Sequence, residues 1–159
     1  MAITIKKTGV IISAVVLLLF GVSVSIYEPA TDSNAYIDPS DKQLVADGKP
    51  IYARDCASCH GAKLEGDPNW RIRQANGRLL APPHDETGHT WHHADALLIE
   101  ITKNGLVPGV TAPEGYLSDM PAYKNLLSEH DIRAVIAYIK SSWPKQALAR
   151  QKEITLRQQ

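Results

Sequence analysis

Hydrophobic residues are unevenly distributed along this chain, and the first 26 positions stand apart from the rest. Residues 9–26 carry no charged side chain, and Lys6 and Lys7 precede them. As a helix this run would reach about 27 Å at roughly 1.5 Å per residue, slightly short of a hydrocarbon core near 30 Å. The pattern predicts a signal-anchor or a cleaved signal peptide over residues 1–26, with the following chain outside the cytoplasm.

Two polar stretches flank the central region. Residues 27–40 are rich in Pro, Asp, Ser and Ala without apolar periodicity, which predicts a flexible tether. Residues 145–159 combine many charges with weak apolar spacing, which predicts a polar C-terminal tail that forms a frayed surface helix. The remaining residues, 41–144, are expected to form one domain.

Amphipathic helices are predicted at both ends of this domain. The first begins after a cap at Ser40, and Pro50 is expected to kink or split it near Gly48, because the proline ring clashes with the preceding turn. The last begins with a capping box formed by Ser128 and Asp131, and its apolar residues then recur at helical spacing.

A third helix is predicted from about Ala94 to Lys103, with Gly105 just past its end. Residues 61–90 and 105–122 hold most of the remaining Gly and Pro and show no strand pattern. This is more loop than a small domain normally contains. We therefore expect an all-α fold of three to five helices. Its centre should be filled by something other than hydrogen-bonded strands.

Charge and composition exclude several classes of protein. The chain has 159 residues, with 17 Lys and Arg balanced by 17 Asp and Glu. Without a basic excess, nucleic acid is not an expected partner. The two cysteines are too few for a disulfide framework.

Cys56, Cys59 and His60 form a C-x-x-C-H motif, which is the attachment signature for c-type haem. On a helical turn, Cys59 lies three and His60 four residues after Cys56, so the three side chains project to the same side. Two thioether bonds can then hold the porphyrin edge while the imidazole of His60 reaches the iron. The motif predicts one covalent haem c as the cofactor.

Two other sites use paired cysteines, and both fit this sequence less well. A thioredoxin-type dithiol needs a strand before the motif and βαβ units around it, and no such alternation is visible. A structural zinc site needs four ligands, and the only candidates for a second pair, His92 and His93, are adjacent.

Met120 is the only methionine besides the initiator, and we predict it as the distal iron ligand. It lies in a loop just before the last helix, next to Pro121, which can stiffen that loop. The alternative is a methionine that only fills the core. Its place in a loop, away from any apolar helix face, favours the ligand.

From Leu44 to Trp143 the chain resembles class I monohaem c-type cytochromes, and in particular small membrane-tethered bacterial ones. The matching features, in the family's order, are Gly48 and Tyr52, the pentad Cys56 to His60 followed by Gly61, the loop with Met120 and Pro121, and the closing helix with Tyr138. The resemblance implies that the first and last helices cross near Gly48 and Tyr138. It also implies that the Pro82 carbonyl accepts the Nδ1 proton of His60.

Two positions depart from the family pattern. His84 stands where many members carry leucine, which places a polar ring near the expected haem wall. Pro50 lies inside a helix that the family usually keeps continuous. Trp70 and Trp91 are large rings in loop segments, where either can line the porphyrin or donate its indole N–H to a propionate.

Other polar clusters have two interpretations each. One of three arginines, Arg71, Arg73 or Arg78, can pair with a propionate, although a solvated surface position is the favoured interpretation for each. Four histidines, His84, His89, His92 and His93, lie within ten residues. They suggest either a second metal site, such as copper, or a segment that packs over the haem and caps the following helix, which we favour.

An iron bound by both His60 and Met120 has no open position, which favours one-electron exchange over catalysis. The expected function is an electron carrier between membrane or periplasmic redox partners. The alternatives are a cytochrome subunit of a larger dehydrogenase or oxidase complex, or a haem-based sensor or peroxidase if Met120 is not a ligand. We expect the domain to face the periplasm from the bacterial cytoplasmic membrane, or to be periplasmic and soluble after signal cleavage.

Overall fold

Helices provide the regular structure of residues 36–158, the part of the chain that the computed structural model describes. They are α1 (Lys42–Asp55), α2 (Ala57–His60), α3 (Asp95–Asn104), α4 (Glu129–Ser141) and α5 (Lys145–Arg157), with a 3₁₀ turn at Thr90–His92. No strand occurs in this part, and one isolated bridge joins Pro108 to Ala112. The predicted all-α class is confirmed.

The predicted hydrophobic helix of residues 1–26 lies outside the described residues. Among residues 36–158, the helices are all too short or too polar to cross a membrane. The end of the predicted tether is described, and there Ile37 is buried and its N–H donates to Asp95 Oδ2 at 2.7 Å. From Ile37 onward the segment is therefore fixed to the domain.

Helix α1 begins and continues differently from the prediction. Its N-cap is Asp41, whose Oδ1 accepts the N–H groups two and three residues on at 3.0 Å each, so the predicted cap at Ser40 was wrong. The helix also runs through Pro50 without a break, so the predicted split was wrong. Proline removes the donor to the carbonyl of Ala46, but both residues are exposed and water can satisfy that carbonyl.

Helices α1 and α4 cross where Gly48 meets the backbone of Ala134. A Cβ at position 48 would lie 1.9 Å from the Ala134 carbonyl oxygen, so this approach requires glycine. One turn further along both helices, the rings of Tyr52 and Tyr138 lie 5.4 Å apart. The core around this crossing includes Ile51, Leu98, Tyr123, Leu127, Ile132, Val135, Ile136, Ile139 and Trp143.

Helices α3 and α4 keep close to their predicted bounds. Helix α4 opens with the predicted capping box, in which Ser128 Oγ accepts the Asp131 N–H and Asp131 Oδ2 accepts the Ser128 N–H. Helix α3 ends at Asn104, and Gly105 follows with φ of 81°, a backbone conformation that favours glycine. Local sequence signals are enough to set these ends.

The C-terminal tail packs more closely than predicted. Helix α5 forms, but Gln151 and Thr155 are buried in it. Gln151 Nε2 donates to Asp95 Oδ1 at 2.7 Å and to the His93 carbonyl at 3.1 Å, and Thr155 Oγ1 accepts the Asp95 N–H at 3.0 Å. The helix lies on the surface as predicted, but Gln151 and Thr155 bond to the start of α3 and anchor it, so the expected fraying was wrong.

A buried ion pair joins α3 to α4 at the same corner. Lys140 Nζ lies 2.8 Å from each carboxylate oxygen of Asp95, and both side chains have 0% exposure. Burial lowers the pKa of Lys140 to about 8, although the nearby Asp95 opposes this shift. The Tyr36 ring centroid lies 3.9 Å from the same Nζ. These contacts connect the start of the domain to three helices.

Candidate haem-binding site

The two cysteines and His60 lie on one helical turn. Helix α1 ends at Asp55, and after Cys56 the chain turns directly into α2, where the N–H groups of Cys59 and His60 donate to the Cys56 carbonyl at 3.2 and 2.9 Å. No disulfide joins the two cysteines; Cys59 is exposed and Cys56 is partly buried. Before haem is attached, burial raises the pKa of the Cys56 thiol to about 11. The turn presents both cysteine side chains and an imidazole together, as covalent haem attachment requires.

His60 is buried, and one of its ring nitrogens is already engaged. Its Nδ1 lies 2.8 Å from the carbonyl oxygen of Pro82, the partner that the family resemblance implied. The Nδ1–H donates this bond, which leaves Nε2 as the free donor atom for a metal. Burial lowers the pKa of His60, although its bond to Pro82 opposes the shift. The lowered pKa favours the neutral ring, which is the form that binds iron.

His84 lies against His60 as a second, stacked imidazole. The ring centroids are 3.9 Å apart, with 21° between the planes. His84 Nδ1 lies 2.9 Å from Thr90 Oγ1, and the indole N–H of Trp143 donates to the His84 carbonyl at 2.7 Å. Burial lowers the pKa of His84 well below its usual value, and His60 adds to the effect. The polar ring that departs from the family pattern is thus neutral and hydrogen-bonded.

The loop that follows the cysteine motif is held against the same side chains. Tyr52 donates its hydroxyl to the Gly61 carbonyl at 2.8 Å, directly after α2. The Leu64 carbonyl accepts the His84 N–H at 2.8 Å. A Cβ at Gly66 would lie 2.3 Å from the nitrogen of Pro83, so glycine allows this loop to reach the segment that carries Pro82.

Met120 lies in a loop that is anchored next to the cysteine turn. Tyr123, three residues later, donates its hydroxyl to the Asp55 carbonyl at 2.7 Å, immediately before Cys56. Its own N–H donates to the Thr102 carbonyl at 3.1 Å, which ties the loop to α3. Sequence reasoning did not single out Tyr123, because a lone tyrosine in a loop belongs to no periodic pattern.

The loops around this site carry large apolar side chains that the protein does not bury by itself. In residues 70–82 and 105–122, every leucine, isoleucine, valine and methionine is exposed or only partly buried. They are Ile72, Leu79, Leu80, Leu106, Val107, Val110, Leu117 and Met120. Apolar loops of this kind normally cover a ligand or a partner. Together with the free His60 Nε2, they fit a porphyrin.

The two tryptophans lie in different surroundings. The Trp70 ring stacks on His89 at 5.3 Å and on the guanidinium of Arg71 at 4.0 Å. Trp91 stacks on His92 at 3.7 Å, and its indole N–H donates to a loop carbonyl at 3.4 Å. Both rings are partly buried. Their roles as walls of a haem pocket stay predictions.

The three arginines make different contacts, and Arg78 is not simply solvated at the surface. Arg71 lies over the Trp70 ring, and Arg73 donates to the Gly77 carbonyl within its own loop at 2.7 Å. Arg78 reaches across to the loop that carries Met120, where it donates to the Ser118 carbonyl at 2.6 Å. Arg78 therefore bridges two loops.

The histidine cluster does not assemble a metal site in the described part of the chain. Within residues 36–158, no group of three or more His, Cys, Asp or Glu side chains is arranged to hold a metal ion. His89 and His93 contact edge to face at 5.4 Å. The N-cap of α3 is Ala94, with no side-chain cap, so the expected capping by this segment was wrong. The copper hypothesis gains no support from these positions.

Comparison with known proteins agrees with this geometry. Residues 45–143 match the family model for cytochrome c. The chain belongs to the cytochrome c family. It is a class I c-type cytochrome, and its cofactor is covalently bound haem c.

One curated relative extends the comparison. The Cbb3-type cytochrome c oxidase subunit CcoP of Azospirillum sp. (strain B510) is 28% identical over 100 residues, which make up 63% of this chain and 29% of that protein. The chain therefore spans well under two thirds of the length of this relative. No solved structure gives a significant match.

Proposed function

We propose that this cytochrome is a one-electron carrier in which Cys56 and Cys59 hold the haem and His60 and Met120 ligate its iron. The observation that carries the proposal is the bond from Tyr123 to the Asp55 carbonyl, at 2.7 Å. It anchors the loop with the only internal methionine beside the cysteine turn. Haem supplies the Fe(III)/Fe(II) couple that accepts and releases the electron.

The polypeptide contributes orientation and exclusion of water. The Pro82 carbonyl fixes the His60 ring at 2.8 Å and selects the tautomer with a free Nε2. The thioether of Met120 is a soft donor that favours the reduced metal. With His60 and Met120 both bound, the iron would have no position left for oxygen or a substrate, which favours electron transfer over catalysis.

We further propose that the domain works at the periplasmic face of the bacterial cytoplasmic membrane, held there by residues 1–26. The uncharged run after Lys6 and Lys7 supports this location, and signal cleavage would instead release a soluble periplasmic carrier. Redox proteins of the membrane or the periplasm would then be donor and acceptor. Fractionation of cells that produce the full chain tests this, since an anchored protein stays with membranes after a high-salt wash.

A second candidate function is that of a cytochrome subunit in an oxidase complex. The likeness to the oxidase subunit CcoP over 100 residues favours it. Mild-detergent extraction followed by affinity purification of the tagged full chain separates the two functions. An oxidase subunit purifies with the other polypeptides of a cytochrome c oxidase in fixed ratio, whereas a carrier purifies alone.

Substitution of Met120 tests the ligand set. The ferric wild-type protein should show the weak red charge-transfer band that methionine sulfur gives to ferric haem, and Met120→Ala should abolish it. Leu117→Ala is the matched control, because it removes an exposed apolar side chain from the same loop. If the wild type lacks the band and its ferrous form binds carbon monoxide readily, the iron has an open position. That result would favour a sensor or a peroxidase.

A further inference from the structure

Arg78 makes the contacts that connect the loop before Pro82 to the loop that carries Met120. Its Nη1 donates to the Ser118 carbonyl at 2.6 Å and lies 2.8 Å from Asp119 Oδ1. The first of these partners, Ser118, is forty residues away along the chain. Charged donors of this kind form the stronger hydrogen bonds in proteins.

The base of Arg78 is itself ordered by a tight turn. The Arg78 N–H donates to Asn76 Oδ1 at 3.0 Å, and the Arg78 carbonyl accepts the Gln74 N–H at 2.8 Å. The turn also touches the opposite loop, since a Cβ at Gly77 would lie 3.5 Å from Leu117 Cδ1. The side chain of Arg78 therefore extends from an ordered backbone, and its rigid planar guanidinium loses little entropy for each hydrogen bond that it forms.

Ser118 accepts hydrogen bonds from both Arg78 and Met120. While its carbonyl accepts from Arg78, its hydroxyl oxygen accepts the Met120 N–H at 3.0 Å. Ser118 thus lies between the guanidinium and the backbone of the predicted ligand. Residues 113–119 belong to no helix or strand, and the Tyr116 N–H bonds locally to the Pro113 carbonyl. The Arg78 contact therefore adds to the anchors at Tyr123 in holding this loop.

We propose that Arg78 is a positioning residue for the distal ligand: by holding Ser118 and Asp119, it keeps the Met120 loop closed and favours binding of the methionine sulfur to the iron over its replacement by an outside ligand. This inference rests on the proposed function, in which Met120 ligates the iron. The two contacts of Arg78 differ in kind. The Ser118 carbonyl is part of the loop backbone, whereas the Asp119 carboxylate is a side-chain group that is 76% exposed. The backbone contact should therefore matter more.

The test measures how readily cyanide replaces methionine in the purified ferric holoprotein. Arg78→Gln is expected to raise the apparent cyanide association constant about tenfold, as loss of a hydrogen bond from a charged donor implies. It should also lower the temperature at which the red charge-transfer band disappears, while helix unfolding by circular dichroism moves less. Asp119→Asn should raise cyanide binding only about twofold to threefold, since it removes an exposed ion pair and keeps the carbonyl bond.

The matched control is Arg157→Gln, which removes an exposed arginine of α5 whose side chain pairs with Glu153. Its loss should leave cyanide binding unchanged. If Arg78→Gln leaves both cyanide binding and the band unchanged, or if it shifts only the reduction potential, the inference is overturned. Absence of the band in the wild type would overturn the proposed ligand set instead, so the two failures are distinguishable.

Discussion

Replacing Gly48 with alanine sets two physical effects against each other. Alanine is the better helix former by about 1 kcal/mol, so propensity alone predicts a more stable protein. The added Cβ, however, would lie 1.9 Å from the Ala134 carbonyl oxygen and 2.4 Å from its carbon, whereas ordinary contact begins near 3.4 Å. Because these neighbours are backbone atoms, no rotamer change relieves the overlap. Helices α1 and α4 must move apart by about 1.5 Å, the difference between those distances.

The expected net result is a loss of stability. Overpacking of a close helix contact costs about 1–3 kcal/mol, and an immovable backbone places this site at the upper end. After the gain in propensity, Gly48→Ala should lower the free energy of unfolding by about 2 kcal/mol. The separation should also loosen the pair of Tyr52 and Tyr138 one turn away, with ring centroids now 5.4 Å apart.

Urea unfolding of the ferrous holoprotein, followed by far-ultraviolet circular dichroism, measures this loss. Ala46→Gly is the matched control, because it reverses the substitution at an exposed position of the same helix and reports propensity alone. We expect it to cost about 1 kcal/mol. A Gly48→Ala protein at least as stable as the wild type would refute the close crossing of α1 and α4.

Two further predictions concern buried and capped polar groups. Lys140→Met should cost about 3–5 kcal/mol in urea unfolding, because Asp95 is left buried without its cation, and adding Asp95→Asn should recover part of the loss. Ser128→Ala should cost about 1 kcal/mol at pH 7. Hydrogen bonds from the Ser128 side chain and backbone hold the pKa of Asp131 below its usual value, so this stabilisation is present above about pH 4 and is lost as pH falls through the folded pKa. The difference between wild type and Ser128→Ala should therefore shrink in acid, and an undiminished difference would contradict the assignment.

Features encoded by neighbouring residues were predicted from the sequence. The capping box of Ser128 and Asp131, the stop of α3 at Gly105 and the turn from Cys56 to His60 all depend on residues within one helical turn of each other. Both partners of each of these hydrogen bonds are close in sequence, so residue type and spacing carry enough information to predict them.

Features that depend on distant partners were missed. Gln151 is polar and sits in a weakly amphipathic segment, yet it is buried because Asp95, 56 residues earlier, accepts its amide hydrogen bond. Arg78 donates to the carbonyl of Ser118, forty residues away, and no periodic pattern in the sequence predicts such a pair. The error at Pro50 has a different cause, since its effect depends on whether the freed carbonyl of Ala46 faces water.

The intact mass of the denatured protein shows whether haem is covalently bound to this chain. The full chain should be produced in a host that matures c-type cytochromes, purified, unfolded in acid and weighed, and then digested to map the modified peptide. We expect a mass raised by one haem, with the addition on the peptide that contains Cys56, Cys59 and His60. A mass equal to that of the polypeptide alone, with two free thiols, would contradict it.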